Sequence, residues 1–119
     1  MAVGLKARAN KYNAERVKID GITFDSKLEA MRYQELKFLE RANEIKQLDV
    51  HPTYPIVIND RKLGFIELDF EYYDIRAGFR VYEDVKGHDT ALSRFKRAVL
   101  EATHNLTVRV VQKHEIRGR

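Results

Sequence analysis

The sequence predicts a single domain of the α/β class, α+β in type, in which a mixed central β-sheet is flanked by helices. The chain has 119 residues, which is the size of one ordinary domain. Apolar residues make up 44% and charged residues 34% of it, a composition typical of a folded globular protein. Helical and strand periodicities follow one another in the order helix, three strands, helix, strand. One hydrophobic core is therefore expected.

The first predicted helix spans residues 27–43. Apolar residues near helical spacing are expected to form its buried face, namely Leu28, Met31, Leu39 and Ala42. Before this helix, the stretch GITFDS is expected to form a short extended or turn segment, and Ser26 can cap the helix.

Three strands are predicted after the first helix. Residues 45–55 are interpreted as a connection, which leads to a short strand at 56–58 and a turn at 59–62. A long second strand follows at 63–74. A turn at Ala77 and Gly78 then leads to a third strand at 79–86, which Gly87 ends.

The second predicted helix spans residues 90–103, with Asp89 or Thr90 as its cap. The three-four spacing of its apolar residues predicts a buried stripe of Leu92, Phe95, Val99 and Ala102. A final strand at 106–112, in which Leu106, Val108 and Val110 alternate with Thr107, Arg109 and Val111, completes the predicted sheet.

The two ends of the chain are basic, whereas its middle is acidic. Residues 1–18 hold five Lys/Arg against one Glu, and residues 109–119 hold four against one, which leaves a net charge of −3 between them. We interpret residues 1–18 as a flexible basic arm, 19–113 as the domain and 114–119 as a basic tail. Basic ends suit a protein that binds a phosphate backbone, but they are equally typical of solubilising tails.

Several classes of protein are excluded by composition. The chain has no cysteine, which excludes disulfides and thiolate zinc sites, and its four histidines are widely spaced. No apolar run is long enough for a membrane span, and the N-terminus lacks the apolar middle of a signal peptide. A cytoplasmic protein without membrane contact is therefore expected.

Carboxylates line one face of the second predicted strand. Alternation places Ile66, Leu68, Phe70 and Tyr72 on one face, and the acidic residues Glu67, Asp69 and Glu71 on the other. Like charges this close repel one another and gain from a cation between them. We expect Glu67 and Glu71 to be solvated neighbours of Asp69.

The third predicted strand places Asp84 and Lys86 on one face and Glu83 on the opposite face. If this face adjoins the acidic face of the second strand, Asp69 and Asp84 can bind one hard cation such as Mg²⁺. A lysine beside that cation can orient the nucleophile and stabilise developing negative charge. An acid-x-Lys triplet alone is more often a surface ion pair, so the inference depends on the whole constellation.

At these residues the sequence resembles the PD-(D/E)XK nuclease superfamily, whose core order of helix, three strands, helix and strand matches residues 20–113. The segments SKLEAMRYQELKFLE, IELDFEYYD and VYEDVKG, with LSRFKRAVLE after them, resemble more narrowly a family of small phage-encoded endonuclease-like proteins. The resemblance implies a restriction-endonuclease-like αβββαβ core and metal-dependent cleavage of DNA, in the host bacterial cytoplasm for a phage protein.

Residue by residue, the resemblance implies that Asp69 is the motif aspartate, Asp84 the second acid and Lys86 the motif lysine. It also implies an acid from the first helix, Glu29, and a Mg²⁺ site held by Asp69, Asp84, Val85 and Glu29, in which Mn²⁺ can substitute. Two features depart from the motif. Leu68 stands at the proline position, and Glu83 beside Asp84 leaves the second acid ambiguous, although strand parity favours Asp84.

Other residues have competing interpretations. Glu29 is also the fourth residue of a capping box that begins at Ser26, a role as well supported by the residues as that of a ligand. His51 and His88 are expected to be solvated loop residues without a catalytic role. Nucleic-acid contacts are expected from basic residues on the second helix and in the arm, although an ordinary polar helix face is an alternative for the former. These residues are Arg94, Lys96, Arg97, Lys11, Arg16 and Lys18.

The leading functional expectation is Mg²⁺-dependent hydrolysis of DNA phosphodiester bonds. The small size of the chain favours selection of DNA structure, such as branched or Holliday-junction DNA, over recognition of a long sequence. A small nuclease is expected to form a homodimer in order to cut two strands. The alternatives are a non-catalytic DNA-binding or recombination accessory protein with a nuclease-like fold, and a structural protein whose acidic strand face is merely solvated.

Overall fold

The computed structural model describes residues 15–117, which form two helices and eight strands. In chain order these are β1 (Val17–Ile19), β2 (Ile22–Phe24), α1 (Lys27–Arg41), β3 (Ile45–Val50), β4 (Thr53–Ile58), β5 (Arg61–Glu67), β6 (Phe70–Asp74), β7 (Phe79–Lys86), α2 (Ala91–His104) and β8 (Val108–Gln112). A 3-10 turn follows at Lys113–Glu115. The predicted α+β class is confirmed.

The central sheet has four strands in the order β3-β6-β7-β8. Strand β6 is antiparallel to both β3 and β7, whereas β8 lies parallel to β7 because α2 carries the chain back between them. Strands β1 and β2 form one separate hairpin, and β4 and β5 form another. Without the two hairpins, the order of elements is α1, β3, β6, β7, α2, β8, which is helix, three strands, helix, strand.

Two hydrophobic cores cover opposite faces of this sheet. The first core lies under α1 and contains Phe24, Ala30, Tyr33, Leu36, Ile45, Phe70, Tyr72, Val85, Val111 and Ile116. The second core lies under α2 and the β4–β5 hairpin and contains Ile56, Ile66, Leu68, Leu100 and Val108. Strand alternation therefore sends successive side chains of β7 toward different helices.

Helix α1 begins where Ser26 accepts a hydrogen bond from the Glu29 N–H at 3.2 Å. The predicted core residues Leu28, Met31 and Leu39 do pack against the first core. Ala42, however, is the exposed C-cap residue, so its place in the predicted core is wrong.

The predicted buried stripe of α2 is wrong for most of its residues. Leu92 is 60% and Phe95 66% exposed, and Ala102 is also exposed, while Val99 is half-buried. The helix packs through its second half, where Leu100 is buried against the β4–β5 hairpin and the sheet. The first turns of α2 project beyond the second core, so the helical spacing of their apolar residues does not indicate that they are buried.

The predicted second strand, 63–74, is two strands in different sheets. The chain leaves the β4–β5 hairpin at Glu67 and enters the central sheet at Phe70. In the link, the Leu68 N–H donates to the Pro52 carbonyl at 3.0 Å and the Asp69 N–H to the Glu83 carbonyl at 3.1 Å. Because the apolar–polar alternation continues across the link, periodicity could not reveal the break.

Strand β3 replaces much of the predicted connection at 45–55, and β4 begins at Thr53 rather than at residue 56. The pairing of β3 with β6 shifts register between Lys46 and Asp49, and Gln47 has a φ of 57°. Such a bulge interrupts the two-residue period by which a strand is recognised in a sequence.

Ordered structure extends beyond the predicted limits of the domain. Strand β1 begins at Val17, within the predicted arm. At the other end, Ile116 is buried in the first core and the Arg117 N–H donates to Glu35 at 2.6 Å. Neither helix within residues 15–117 has the length and apolar character that crossing a bilayer requires.

Candidate metal centre

Asp69 occupies the link between β5 and β6 and is only 2% exposed. Its Oδ2 atom accepts a hydrogen bond of 2.7 Å from the backbone N–H of Val85 on the neighbouring strand. A carboxylate held in this way has a fixed orientation, as metal-binding carboxylates commonly have. Val85, which the sequence placed among the metal ligands, therefore orients the Asp69 carboxylate through its backbone N–H. The only atom of Val85 that can bind a metal ion is its backbone carbonyl oxygen.

Glu29, His51 and Asp69 form a cluster in which one potential ligand atom from each residue lies within 4.8 Å of the other two. His51 Nε2 is 3.9 Å from Glu29 Oε1. The three residues come from the first turn of α1, the β3–β4 link and the β5–β6 link. Two carboxylates and an imidazole at this spacing are donors of the kind that bind a divalent metal ion.

Backbone geometry brings the histidine to this place. His51 has a φ of 56°, in the left-handed region, and its N–H donates to the Asp69 carbonyl at 3.0 Å. Its ring packs on Phe24, with 5.6 Å between the ring centroids. His51 is therefore held against the aspartate, and the expectation of a solvated loop residue is wrong.

The two roles considered for Glu29 are divided between its backbone and its side chain. The N–H of Glu29 completes the cap by donating to Ser26 Oγ. The carboxylate lies beside His51 and Asp69. Capping and membership of the cluster are thus compatible, because they use different atoms.

Asp84 and Lys86 lie next to the cluster on β7. Lys86 Nζ is 3.4 Å from Asp84 Oδ2, so the two residues share a face as strand parity predicts. Burial raises the pKa of Asp84 to about 6, and the nearby charge of Asp69, whose carboxyl is close enough for a hydrogen bond, contributes to the rise. The two carboxylates thus meet as expected, and their repulsion favours a cation or a proton between them.

Glu83, the rival for the second acid, has a different role. It is fully buried and accepts hydrogen bonds from Arg32 Nε at 2.9 Å and Arg32 Nη2 at 2.6 Å. The Tyr72 hydroxyl also donates to it. Glu83 therefore belongs to an ion pair between α1 and the sheet, which leaves Asp84 as the acid next to Lys86.

The side chain of Arg97 forms hydrogen bonds with two carboxylates of the same chain, Asp84 and Asp89. Its Nη1 atom donates to Asp84 Oδ2 at 3.2 Å and to Asp89 Oδ1 at 3.1 Å, while Nη2 is 2.6 Å from Asp89 Oδ2. The hydrogen bonds between Arg97 and Asp89 lower the pKa of the Asp89 carboxyl and raise the pKa of the Arg97 guanidinium. It therefore positions Asp84 and compensates its charge, a role not assigned from sequence.

The other residues expected to contact nucleic acid are dispersed. Arg94 is exposed on α2 and Lys96 half-buried, while Arg16 and Lys18 are exposed before and within β1. Lys11 lies outside the described residues.

Glu67 and Glu71 are the acidic neighbours of Asp69 on either side, and neither is among the three residues of the cluster. Glu71 accepts hydrogen bonds from Tyr54 at 2.5 Å and Arg80 at 2.7 Å. Glu67 is half-buried at the end of β5.

Fold and site together define an α+β protein with a carboxylate–histidine cluster around the buried Asp69, beside an aspartate–lysine pair. Residues 9–115 match the family model described as protein of unknown function (DUF1064), and the chain belongs to this family. No curated protein and no solved structure matches the chain at a significant level.

Proposed function

We propose that this protein is a metal-dependent endonuclease that hydrolyses DNA phosphodiester bonds, with an active site of the PD-(D/E)XK type. The observation that carries the proposal is the position of Asp69, which lies within 4.8 Å of Glu29 and His51 and in contact with the Asp84–Lys86 pair. Residues that are far apart in sequence thus converge on one buried aspartate, as a catalytic metal site requires.

The order of elements gives independent support. Helix α1, strands β3, β6 and β7, helix α2 and strand β8 follow the core order of the superfamily that the sequence resembles. In this arrangement Asp69 precedes the second core strand, and Asp84 and Lys86 end the third. We propose on this basis that the chain belongs to the PD-(D/E)XK superfamily.

In the proposed site, Asp69, Glu29 and His51 would hold the ion, and Asp84 would supply a further carboxylate beside it. A divalent ion in this position would activate water for attack and screen the charge of the phosphate. Lys86 places a positive charge beside the reacting phosphate, where it stabilises the negative charge that develops in the transition state. Arg97 is a positioning residue, since it holds Asp84 from α2 and does not lie in the cluster.

The imidazole of His51 bears on the choice of metal. Mg²⁺ prefers a shell of oxygen ligands, whereas imidazole is a good ligand for transition metals. We therefore propose that Mn²⁺ supports the activity better than Mg²⁺, although Mg²⁺ was the ion expected from the sequence. Cleavage rates at saturating Mn²⁺ and at saturating Mg²⁺ test this preference directly.

DNA is the proposed partner, and branched or junction DNA the preferred substrate. This choice rests on the small size of the domain and on the basic ends of the chain. We also propose that the protein acts in the cytoplasm as a homodimer, because two copies are needed to cut two strands symmetrically.

One observation favours a second candidate, a non-catalytic DNA-binding protein. Lys86 and Arg97 both lie within 3.4 Å of Asp84 Oδ2, so protein cations already compensate this carboxylate. A chain in which the acids serve only as ion-pair partners would bind DNA equally well with Mn²⁺, Mg²⁺ or EDTA.

The test is cleavage of labelled linear, single-stranded, forked and four-way-junction DNA in Mn²⁺, Mg²⁺ or EDTA. Wild-type protein is compared with Asp84→Ala and Lys86→Ala, and circular dichroism confirms that each variant is folded. Metal-dependent products that both substitutions abolish are the expected result. Folded wild-type protein that gives no product on any substrate, yet binds DNA, would favour the second candidate instead.

A further inference from the structure

A cavity of about 600 Å³ opens at the carboxyl ends of β7 and β8, next to Lys86. Its lining continues the functional face of the sheet, because the parallel register pairs Asp84 with Val110 and Lys86 with Gln112. Val110 and Gln112 both line the cavity. A molecule bound there would therefore lie on the same face of the sheet as the Asp84–Lys86 pair. Lys86 would stand between that molecule and the metal centre.

The charged lining of the cavity suits an anion. Lys86 and Lys113 contribute two ammonium groups, and His88 and His114 add two imidazoles. Asp89 is the single acidic residue of the lining, and Arg97 compensates its charge through two contacts of 2.6 and 3.1 Å. Phosphate is the anion that lysine ammonium groups commonly bind in proteins that contact nucleic acids.

The size of the cavity indicates more than a bare phosphate. About 600 Å³ lies within the range of pockets that hold small organic ligands, and Val110 supplies an apolar contact for a sugar or base. We propose that the cavity is a subsite for the nucleotide next to the cleaved bond, in which Lys113 and His114 contact the phosphate of that nucleotide. This inference rests on the proposed nuclease function and extends it to how the strand is held.

The test uses Lys113→Ala and the double variant Lys113→Ala/His114→Ala, because both side chains are exposed and their truncation leaves the cores intact. Lys46→Ala is the matched control, since Lys46 lies on β3 at the opposite edge of the sheet from β8. Binding of labelled duplex DNA in EDTA is measured by fluorescence anisotropy over a series of salt concentrations. Cleavage kinetics with Mn²⁺ are measured on the same proteins.

Loss of one phosphate contact is expected to lower the slope of log affinity against log salt by about 0.9 in Lys113→Ala. The double variant is expected to bind DNA about tenfold more weakly at low salt and to raise KM by more than it lowers kcat. Lys46→Ala is expected to retain the wild-type slope and KM.

The possible failures are distinguishable. Unchanged slopes and KM in both cavity variants, while the wild type binds and cleaves DNA, would overturn the subsite and leave the nuclease proposal intact. Competitive inhibition by a mononucleotide, without any change in DNA binding by the variants, would assign the cavity to a free nucleotide and also overturn the inference. Wild-type protein that neither binds nor cleaves DNA would contradict the proposed function itself.

Discussion

Replacing Asp84 by asparagine is expected to stabilise the metal-free protein at neutral pH. The Asp84 carboxylate is buried beside Asp69, and these two conditions raise its pKa from 3.8 to about 6, with burial as the larger cause. A carboxyl group with a raised pKa binds its proton more tightly in the folded than in the unfolded chain. Its charge therefore opposes folding wherever the pH exceeds the unfolded value.

The size of the effect follows from that pKa. A rise from 3.8 to about 6 corresponds to a cost of at most about 3 kcal/mol in the free energy of unfolding once the group is fully ionised. This cost is absent at a pH well below the pKa of Asp84 in the unfolded chain. It grows as the pH rises toward the pKa of Asp84 in the folded chain and is complete above that pKa. About two thirds of it should disappear between about pH 8 and pH 4.5.

The assay is chemical denaturation of wild type and Asp84→Asn at both pH values in EDTA, repeated at the higher pH with saturating Mn²⁺. Asparagine is expected to raise the free energy of unfolding by about 1–3 kcal/mol at about pH 8 and by less in acid. Saturating Mn²⁺ should stabilise the wild type more than the variant, because a ligand that binds the folded state stabilises it.

Glu83→Gln is the matched control on the adjacent residue. Glu83 forms the buried ion pair with Arg32, so its neutralisation is expected to destabilise the protein by about 3–5 kcal/mol at neutral pH. An Asp84→Asn variant that is no more stable than the wild type in EDTA, or whose gain does not depend on pH, would refute the reasoning about Asp84.

Five further substitutions test the site and the fold. His51→Ala is expected to weaken Mn²⁺ binding about tenfold or more and to weaken Mg²⁺ binding less, as measured by calorimetry, and an equal loss for both ions would contradict imidazole ligation. Arg97→Ala is expected to cost about 1.5–3 kcal/mol of stability, whereas Arg94→Ala on the exposed face of α2 should cost below about 0.5 kcal/mol. Phe95→Ser is expected to change the free energy of unfolding by less than about 0.5 kcal/mol, whereas Leu100→Ala is expected to lower it by about 2–5 kcal/mol. A larger loss for Phe95→Ser than for Leu100→Ala would support the buried stripe predicted from the sequence.

Local patterns identified the parts of the fold that depend on near neighbours in sequence. Strand β7 was predicted at residues 79–86 because its alternation is unbroken and Gly87 follows. The same parity placed Asp84 with Lys86, a pairing that the structure shows at 3.4 Å. Helix α2 was located to within one residue at each end from its period and from a cap at Asp89 or Thr90, of which Thr90 is the N-cap in the structure.

The parts that were missed depend on contacts between distant segments. His51 reaches the cluster because the β3–β4 link pairs with the β5–β6 link, and no period in the sequence reports that contact. Phe95 has the spacing of a core residue, but its burial depends on where the hairpin and sheet stop covering α2. The one local signal at His51 is its position before Pro52, which favours an extended backbone, whereas the structure has a φ of 56° there.

The most direct test of the central claim is the rate of DNA cleavage by Asp69→Asn, measured beside wild type in Mn²⁺ on a substrate that the wild type cuts. Asparagine retains the size of the side chain, so the variant is expected to fold and bind DNA while its cleavage rate falls by about 1,000-fold or more. Cleavage by folded Asp69→Asn at a rate near that of the wild type would contradict a metal centre built on Asp69.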